Sequence, residues 1–228
     1  IGSRLVGSEM CIRDRINGGN FDWGNKEKFP TISGSHFALN GISFWEEFGP
    51  SALTAKIRAE GMYNFGPSLS PNNAFYILQG IETLSLRMKK HIENTKMMLK
   101  FLKENESVSW LRHPDLEDHP DHKIAKKILP LGSGSIIVFG IKGGRDAGKA
   151  FIENVKLSSH LANVGDAKTL LIHPGSTTHS HLSSEAMKMS GLTDDMIRLS
   201  VGLEDIEDIK IDFEKGFKAA AKISSKRS

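Results

Sequence analysis

The feature that most constrains this 228-residue chain is a change of hydrophobic period near its end. In IRLSVGLE, the residues Ile197, Leu199, Val201 and Leu203 alternate with others, the pattern of a strand that buries one face. Arg198 and Ser200 then point to the other face. Immediately beyond, Ile206, Ile209, Phe213, Phe217 and Ala220 fall three and four residues apart, which predicts an amphipathic helix. Upstream, SVSWLRH, SIIVFGI and TLLIHP read as strands. IAKKIL, the stretch from Asp146 to Val155 with Ala147, Ala150, Phe151 and Val155 on one side, and SSEAMKMSG closed by Gly191 read as helices. Short strands interleaved with helices predict a small α/β or α+β domain.

Ahead of these elements, Leu78, Ile81, Ser85, Met88, Ile92, Leu99 and Leu102 recur at helical spacing, while Lys89, Lys90, Glu93 and Lys100 fill other faces. This predicts one long amphipathic helix, with Ser70 and Pro71 as start signals. From Gly18 to Pro71 the pattern is broken: GGNFDWGN is turn-rich, TISGSHFALNG lacks a clear period and SALTAKIRAEGMYNF reads as a helix. HPDLEDHPDH reads as a polar loop and KISSKRS as a frayed tail. The opening IGSRLVGSEMCIRDR lacks the apolar core of a secretory signal and resembles a translated adapter peptide, so it is set aside as an artefact.

Hydrophobic content of 39% and charged content of 25% are those of a folded, soluble protein. The net charge of +3 is spread along the chain among acids, which gives no nucleic-acid or lipid footprint. No apolar run approaches the roughly 18 residues of a membrane span. Cys11 is the sole cysteine, so disulfide frameworks, CxxC redox pairs and thiolate zinc sites are excluded and a reducing, cytoplasmic setting is expected.

Arg198 is the most informative single residue. On periodicity alone it faces solvent, and a guanidinium fork held on a rigid strand to grip a carboxylate is the sharper alternative. His173, His179 and His181 form one group, and His113, His119 and His122 another. The first group has no carboxylate or cysteine at matching spacing, so no metal is expected; His173 ends a strand and fixes the loop, and the second group is solvated. Asn163, Gly165 and Asp166 read as a tight turn. The glycines of GSGSIIVFG precede a strand, whereas a phosphate cradle needs them between strand and helix.

Three ordered blocks, SPNNAFYILQGIETLSLRMKKHIENT, NVGDAKTLLIHPGSTTHS and GLTDDMIRLSVGLEDIEDI, resemble those of the cysteine and methionine metabolism family of pyridoxal-phosphate (PLP) enzymes. The resemblance runs from about Gly18 to about Ala221. GGNFDWGNKEKFP and FWEEFGPSALTAKIR are most similar to its O-acetylhomoserine sulfhydrylase branch.

The resemblance implies an α/β chain of the type I PLP-dependent aminotransferase-like fold. Residues 1–16 would be a non-family leader, 17–80 the trailing part of a large PLP domain, 81–221 the small C-terminal domain and 222–228 a tail. It implies that Arg198, Asn163 and Val164 bind the substrate carboxylate, with serine commoner at the position of Asn163, and that Thr178 belongs to an active-site loop. It further implies the cofactor pyridoxal 5′-phosphate, the partners O-acetylhomoserine and sulfide, homocysteine as product and a homo-oligomer built as a dimer of dimers. The family's cofactor-bearing lysine lies in a Ser-x-Thr-Lys block just upstream of GGNFDW, where the adapter-like leader stands here. None of Lys56, Lys89 or Lys168 lies in such a motif, so the chain as written is expected to hold no covalent cofactor and to be inactive. Cystathionine γ-synthase or methionine γ-lyase chemistry, and a cofactor-free binding or assembly domain, are the competing readings.

Overall fold

The computed structural model describes residues 17–178, 180 and 183–225. It divides between Leu78 and Gln79 into two compact units.

The first unit is built of short helical turns. Pro30–Ser33 and Phe44–Phe48 precede a helix that begins at Ala52–Lys56, widens to a π-helix over Ile57–Met62 and closes as Tyr63–Phe65. Ser43 caps the second turn, its hydroxyl accepting from the Glu46 N–H at 3.3 Å. Ile32, Phe44 and Ala52 form the buried centre, with Trp23, Phe29 and Trp45 packed against it. Glu60 accepts from His36 Nε2 at 2.7 Å and from the Lys56 ammonium. The Lys56 hydrogen bond leads in holding the Glu60 carboxyl below its ordinary range.

The long helix expected from the sequence is two helices, α1 (Pro71–Glu82) and α2 (Leu84–Glu104). Ser70 starts α1, its hydroxyl accepting from the Asn73 N–H at 3.2 Å. The break falls at the β-branched Thr83, three residues after the poor helix former Gly80, and Arg87 Nη2 spans it by donating to the Gly80 carbonyl at 2.6 Å. The anticipated stripe therefore splits. Leu78, Ile81 and Ser85 are exposed, whereas His91, Asn94, Thr95, Met98, Leu99 and Leu102 are buried.

The second unit is a five-stranded sheet packed against helices. Its strands are β1 (Val108–Arg112), β2 (Ile136–Ile141), β3 (Ser159–His160), β4 (Leu170–Ile172) and β5 (Met196–Ser200), in the order β1-β2-β5-β4-β3. Only the β3–β4 pair is parallel; the others are antiparallel. The helices are α3 (His122–Ile128), α4 (Gly144–Asn154), α5 (Ser184–Met189) and α6 (Ile206–Ser224).

The inward residues of β2 and β5, Ile137, Phe139, Ile141, Ile197 and Leu199, meet Phe151 of α4, Phe213 and Phe217 of α6 and Met98 and Leu102 of α2. Each such side chain contributes about 1.5–3 kcal/mol by leaving water. All five apolar residues predicted for α6 are buried. Gly216 lets α6 approach α4 closely, since a Cβ there would lie 2.7 Å from the Phe151 ring.

β3 went unread in the sequence because it is two residues long and has only β4 beside it. The polar loop departs from expectation at His113, which is buried instead of solvated. In the repeated His-Pro-Asp unit, His113 Nδ1 accepts from the Asp115 N–H and His119 Nδ1 from the Asp121 N–H, both at 3.1 Å. His122 Nδ1–H donates to the Pro114 carbonyl at 2.9 Å, closing the loop on itself. Burial is the main reason that the His113 imidazole titrates below its ordinary value.

Candidate functional site

Register fixes where the candidate residues point. Arg198 lies on β5, the middle strand, opposite Val138 on one side and Ile172 on the other. Its neighbours Ile197 and Leu199 are fully buried against the helices, so Arg198 projects from the opposite face of the sheet and is half-buried there. Val138 in turn pairs with Arg112, giving a cross-sheet row Arg112–Val138–Arg198–Ile172.

Asn163 comes to Arg198 from 35 residues away: Arg198 Nη2 donates to the Asn163 carbonyl at 3.3 Å. The loop that carries Asn163 joins β3 to β4 and is a turn as well, with Gly165 at φ 68° and Asp166 Oδ1 accepting from the Lys168 N–H. The turn reading of these residues and the carboxylate-site reading thus describe one loop. The Val164 side chain is 55% exposed, and its N–H donates to Asn163 Oδ1 at 2.9 Å. Beyond the turn, Glu204 accepts from the Thr169 N–H and hydroxyl at 2.7 and 2.8 Å. The Leu203 N–H donates to the Ala167 carbonyl. The loop is therefore tied to the chain just after β5 as well as to Arg198.

α2 fixes the same stretch from the other side. His91 Nδ1–H donates to the Val201 carbonyl at 2.7 Å, and the Asn94 amide donates to the carbonyls of Gly202 and Glu204 at 3.1 and 2.9 Å. These polar residues occupy the buried stripe of α2, where the sequence pattern suggested only apolar ones.

His173 ends β4 and holds the loop after it, as its position in the sequence suggested. Fully buried, it has Nε2 2.8 Å from the Asp194 carbonyl and Nδ1 2.8 Å from Ser176 Oγ. Burial leads in lowering its pKa, with Arg145 adding to the effect and hydrogen bonding to Asp194 opposing it. Thr178 is half-buried, two residues past the turn Pro174–Ser176 that His173 braces. His179 and His181 lie outside the described residues. Among the described residues no three His, Cys, Asp or Glu side chains converge as metal ligands.

A cofactor that forms a covalent bond to lysine needs that amine in an enclosed site. A cavity of the second unit, about 700 Å³, is walled by residues that include Trp110, Arg112, His113, Leu116 and Met196, with no lysine among them. Lys56 is paired with Glu60, and Lys89 and Lys168 are exposed. The walls of this cavity therefore do not supply a lysine-bound end for PLP.

The sheet thus carries an arginine on its middle strand, pointing away from the helices that bury Ile197 and Leu199. Residues 18–218 match the Cys/Met metabolism PLP-dependent enzyme family, and the chain belongs to that family. It is 43% identical over 200 residues to O-acetyl-L-homoserine sulfhydrylase 1 of Thermus thermophilus, covering 88% of this chain and 47% of that protein. With homocysteine synthase of Schizosaccharomyces pombe the identity is 42% over 206 residues, covering 90% and 48%. The structure of a Campylobacter jejuni protein assigned as an O-acetylhomoserine (thiol)-lyase, holding N′-pyridoxyl-lysine-5′-monophosphate, superposes with a TM-score of 0.70 at 29% identity over 85% of this chain and 46% of that one. The fold class is thus α/β, of the type I PLP-dependent kind. The chain spans about half the length of the curated relatives it matches.

Proposed function

We propose that this chain carries the substrate-carboxylate half of a PLP-dependent transferase that replaces the acetate of O-acetylhomoserine with sulfide, giving homocysteine. The observation that carries the reading is Arg198, a guanidinium on the middle strand backed by the Asn163 carbonyl. Apolar flanks at Val138 and Ile172 limit where it can swing, which suits bidentate capture of a carboxylate. Val164 and Thr178 complete the substrate side, one on the Asn163 turn and one on the loop after β4. The names of the relatives support O-acetylhomoserine as substrate and homocysteine as product.

In this reading residues 17–80 belong to the large domain and residues 81–221 form the small one, a division supported by the boundary between Leu78 and Gln79. The lysine that binds PLP is not among this chain's lysines, and the chain by itself is inactive. The complete protein is a cytoplasmic dimer of dimers. When bound there, PLP supplies the electron sink that loosens the acetate; this chain's residues bind and orient the amino acid.

The test has two arms. O-acetyl-L-homoserine is titrated into the 228-residue chain and its Arg198→Ala variant. A charged hydrogen-bonded contact is worth roughly 1.5–3 kcal/mol, so the variant should bind roughly 10- to 150-fold more weakly. Equal affinities would sink the site. In the second arm the chain is incubated with PLP and borohydride; mass addition at any lysine would overturn the statement about the cofactor. A full-length protein that prefers cysteine or water to sulfide would move the reading to the cystathionine synthase or γ-lyase branch.

A further inference from the structure

We infer that His173 is a positioning residue for the carboxylate site: its imidazole, held as one neutral tautomer, fastens the loop leading to Thr178 onto the segment that starts β5. The inference rests on the assignment of Arg198 proposed above. Three parts of the fold meet at this ring. The Asp194 carbonyl, four residues before Arg198, is an acceptor only, so Nε2 carries the proton and donates to it at 2.8 Å. In the neutral ring Nδ1 is then an acceptor, and it lies 2.8 Å from Ser176 Oγ in the loop after β4.

The third part is α4. A Cβ at Gly148 would lie 2.8 Å from the imidazole Cδ2 and Nε2, so the helix presses against the ring and leaves it no room to turn. Arg145 of the same helix donates from Nη2 to the Gly175 carbonyl at 2.8 Å, clamping the loop from outside. The loop also closes on the His173 carbonyl, which accepts from the Thr177 hydroxyl at 2.8 Å. An arginine on a strand grips a carboxylate bidentately only if strand and surrounding loops keep their places, since small misplacements weaken such contacts steeply. His173 touches no substrate in this scheme. It acts through the Asp194 and Ser176 contacts on the chain that carries Arg198 and Thr178.

Two substitutions separate positioning from mere filling of space. The amide nitrogen of glutamine reaches about as far as Nε2, whereas that of asparagine reaches only about as far as Nδ1. His173→Gln therefore keeps a donor for the Asp194 carbonyl and His173→Asn does not. Each variant of the 228-residue chain, with Arg198→Ala as the reference for a lost site, is titrated with O-acetyl-L-homoserine by calorimetry, and the Arg198 side-chain N–H resonance is followed in the chains that keep the arginine. We expect His173→Asn to bind at least tenfold more weakly and His173→Gln to stay within about threefold of the parent.

Should His173→Asn lose its dispersed amide spectrum, Ser176→Ala replaces it, removing the Nδ1 partner together with its longer contact to the His173 carbonyl at 3.4 Å, and at least threefold weaker binding is expected. Folded variants that all bind like the parent, while Arg198→Ala does not, overturn the positioning role and leave the carboxylate site standing. Equal loss in the folded glutamine and asparagine variants also overturns it. Parent and Arg198→Ala chains that bind alike remove the site itself, and the inference falls with it.

Discussion

A single carboxylate shows how much one residue does in this fold. Asp212 lies on the buried side of α6 between Ile209 and Phe213 and is 2% exposed. Burial opposes its ionisation. Hydrogen bonds from the Lys156 and Ser158 N–H groups at 2.7 and 3.0 Å, joined by those from Leu157 N–H and the Ser158 hydroxyl, outweigh that and hold its carboxyl below the ordinary range. A depressed carboxyl stabilises the fold above the unfolded value near 3.9, and the contribution is lost as pH falls through the lower folded value. Asp212→Asn should therefore cost about 1–3 kcal/mol at pH 7 in urea denaturation, and the gap to the parent should narrow as pH falls below about 4. A gap that stays constant with pH would refute the role of the charge. Strand parity made the direction of Arg198 legible from sequence, but Asn163, 35 residues upstream, carries no pattern that announces the contact. Asp212 could have been noticed as an acid on an apolar stripe. The burial of His113 was hidden in a polar tract, where the repeated His-Pro-Asp unit was the only clue.

Among the elements, those with strong periodicity were the readable ones. α6 has its apolar residues at regular spacing and buries all five of them, because a stripe that wide has one low-energy place against a sheet. α2 misled because its most buried positions include His91 and Asn94, which hydrogen-bond the chain after β5, and Thr95, whose hydroxyl donates to the His91 carbonyl. The α1–α2 break and the two-residue β3 depend on contacts that no local pattern contains. α4 offers a test of how tightly an element is seated. Replacing a helix-interior glycine by alanine gains about 1 kcal/mol in propensity, but at Gly148 the new methyl would lie 2.8 Å from His173. Overpacking of that kind costs about 1–3 kcal/mol, so Gly148→Ala should lower the melting temperature. An unchanged or raised midpoint would mean that α4 can move away from the ring.

Across the whole molecule, the two units differ in how much they bury. Among the described residues, Ile32, Phe44 and Ala52 make up the buried centre of the first, whereas nineteen make up that of the second. Local stability follows buried apolar contact, so amides between residues 30 and 65 should exchange with deuterium well before those of β2 and β5. Simultaneous exchange of both sets would show that the small centre has support its own residues do not supply. The first unit also presents Phe37, Tyr63 and Phe65 at 97, 85 and 87% exposure, an aromatic surface that favours association in solution. β5 gives the second unit a different kind of constraint. Neighbours on both sides fix its register, and successive side chains alternate between the face that packs on α4 and α6 and the face that carries Arg198. Insertion of one residue before Arg198 within the strand would send the guanidinium into the core and an apolar side chain out. Length variation across descendants of this sequence should therefore accumulate in the β3–β4 loop or the polar tract after β1, and changes inside β5 should come as pairs of residues.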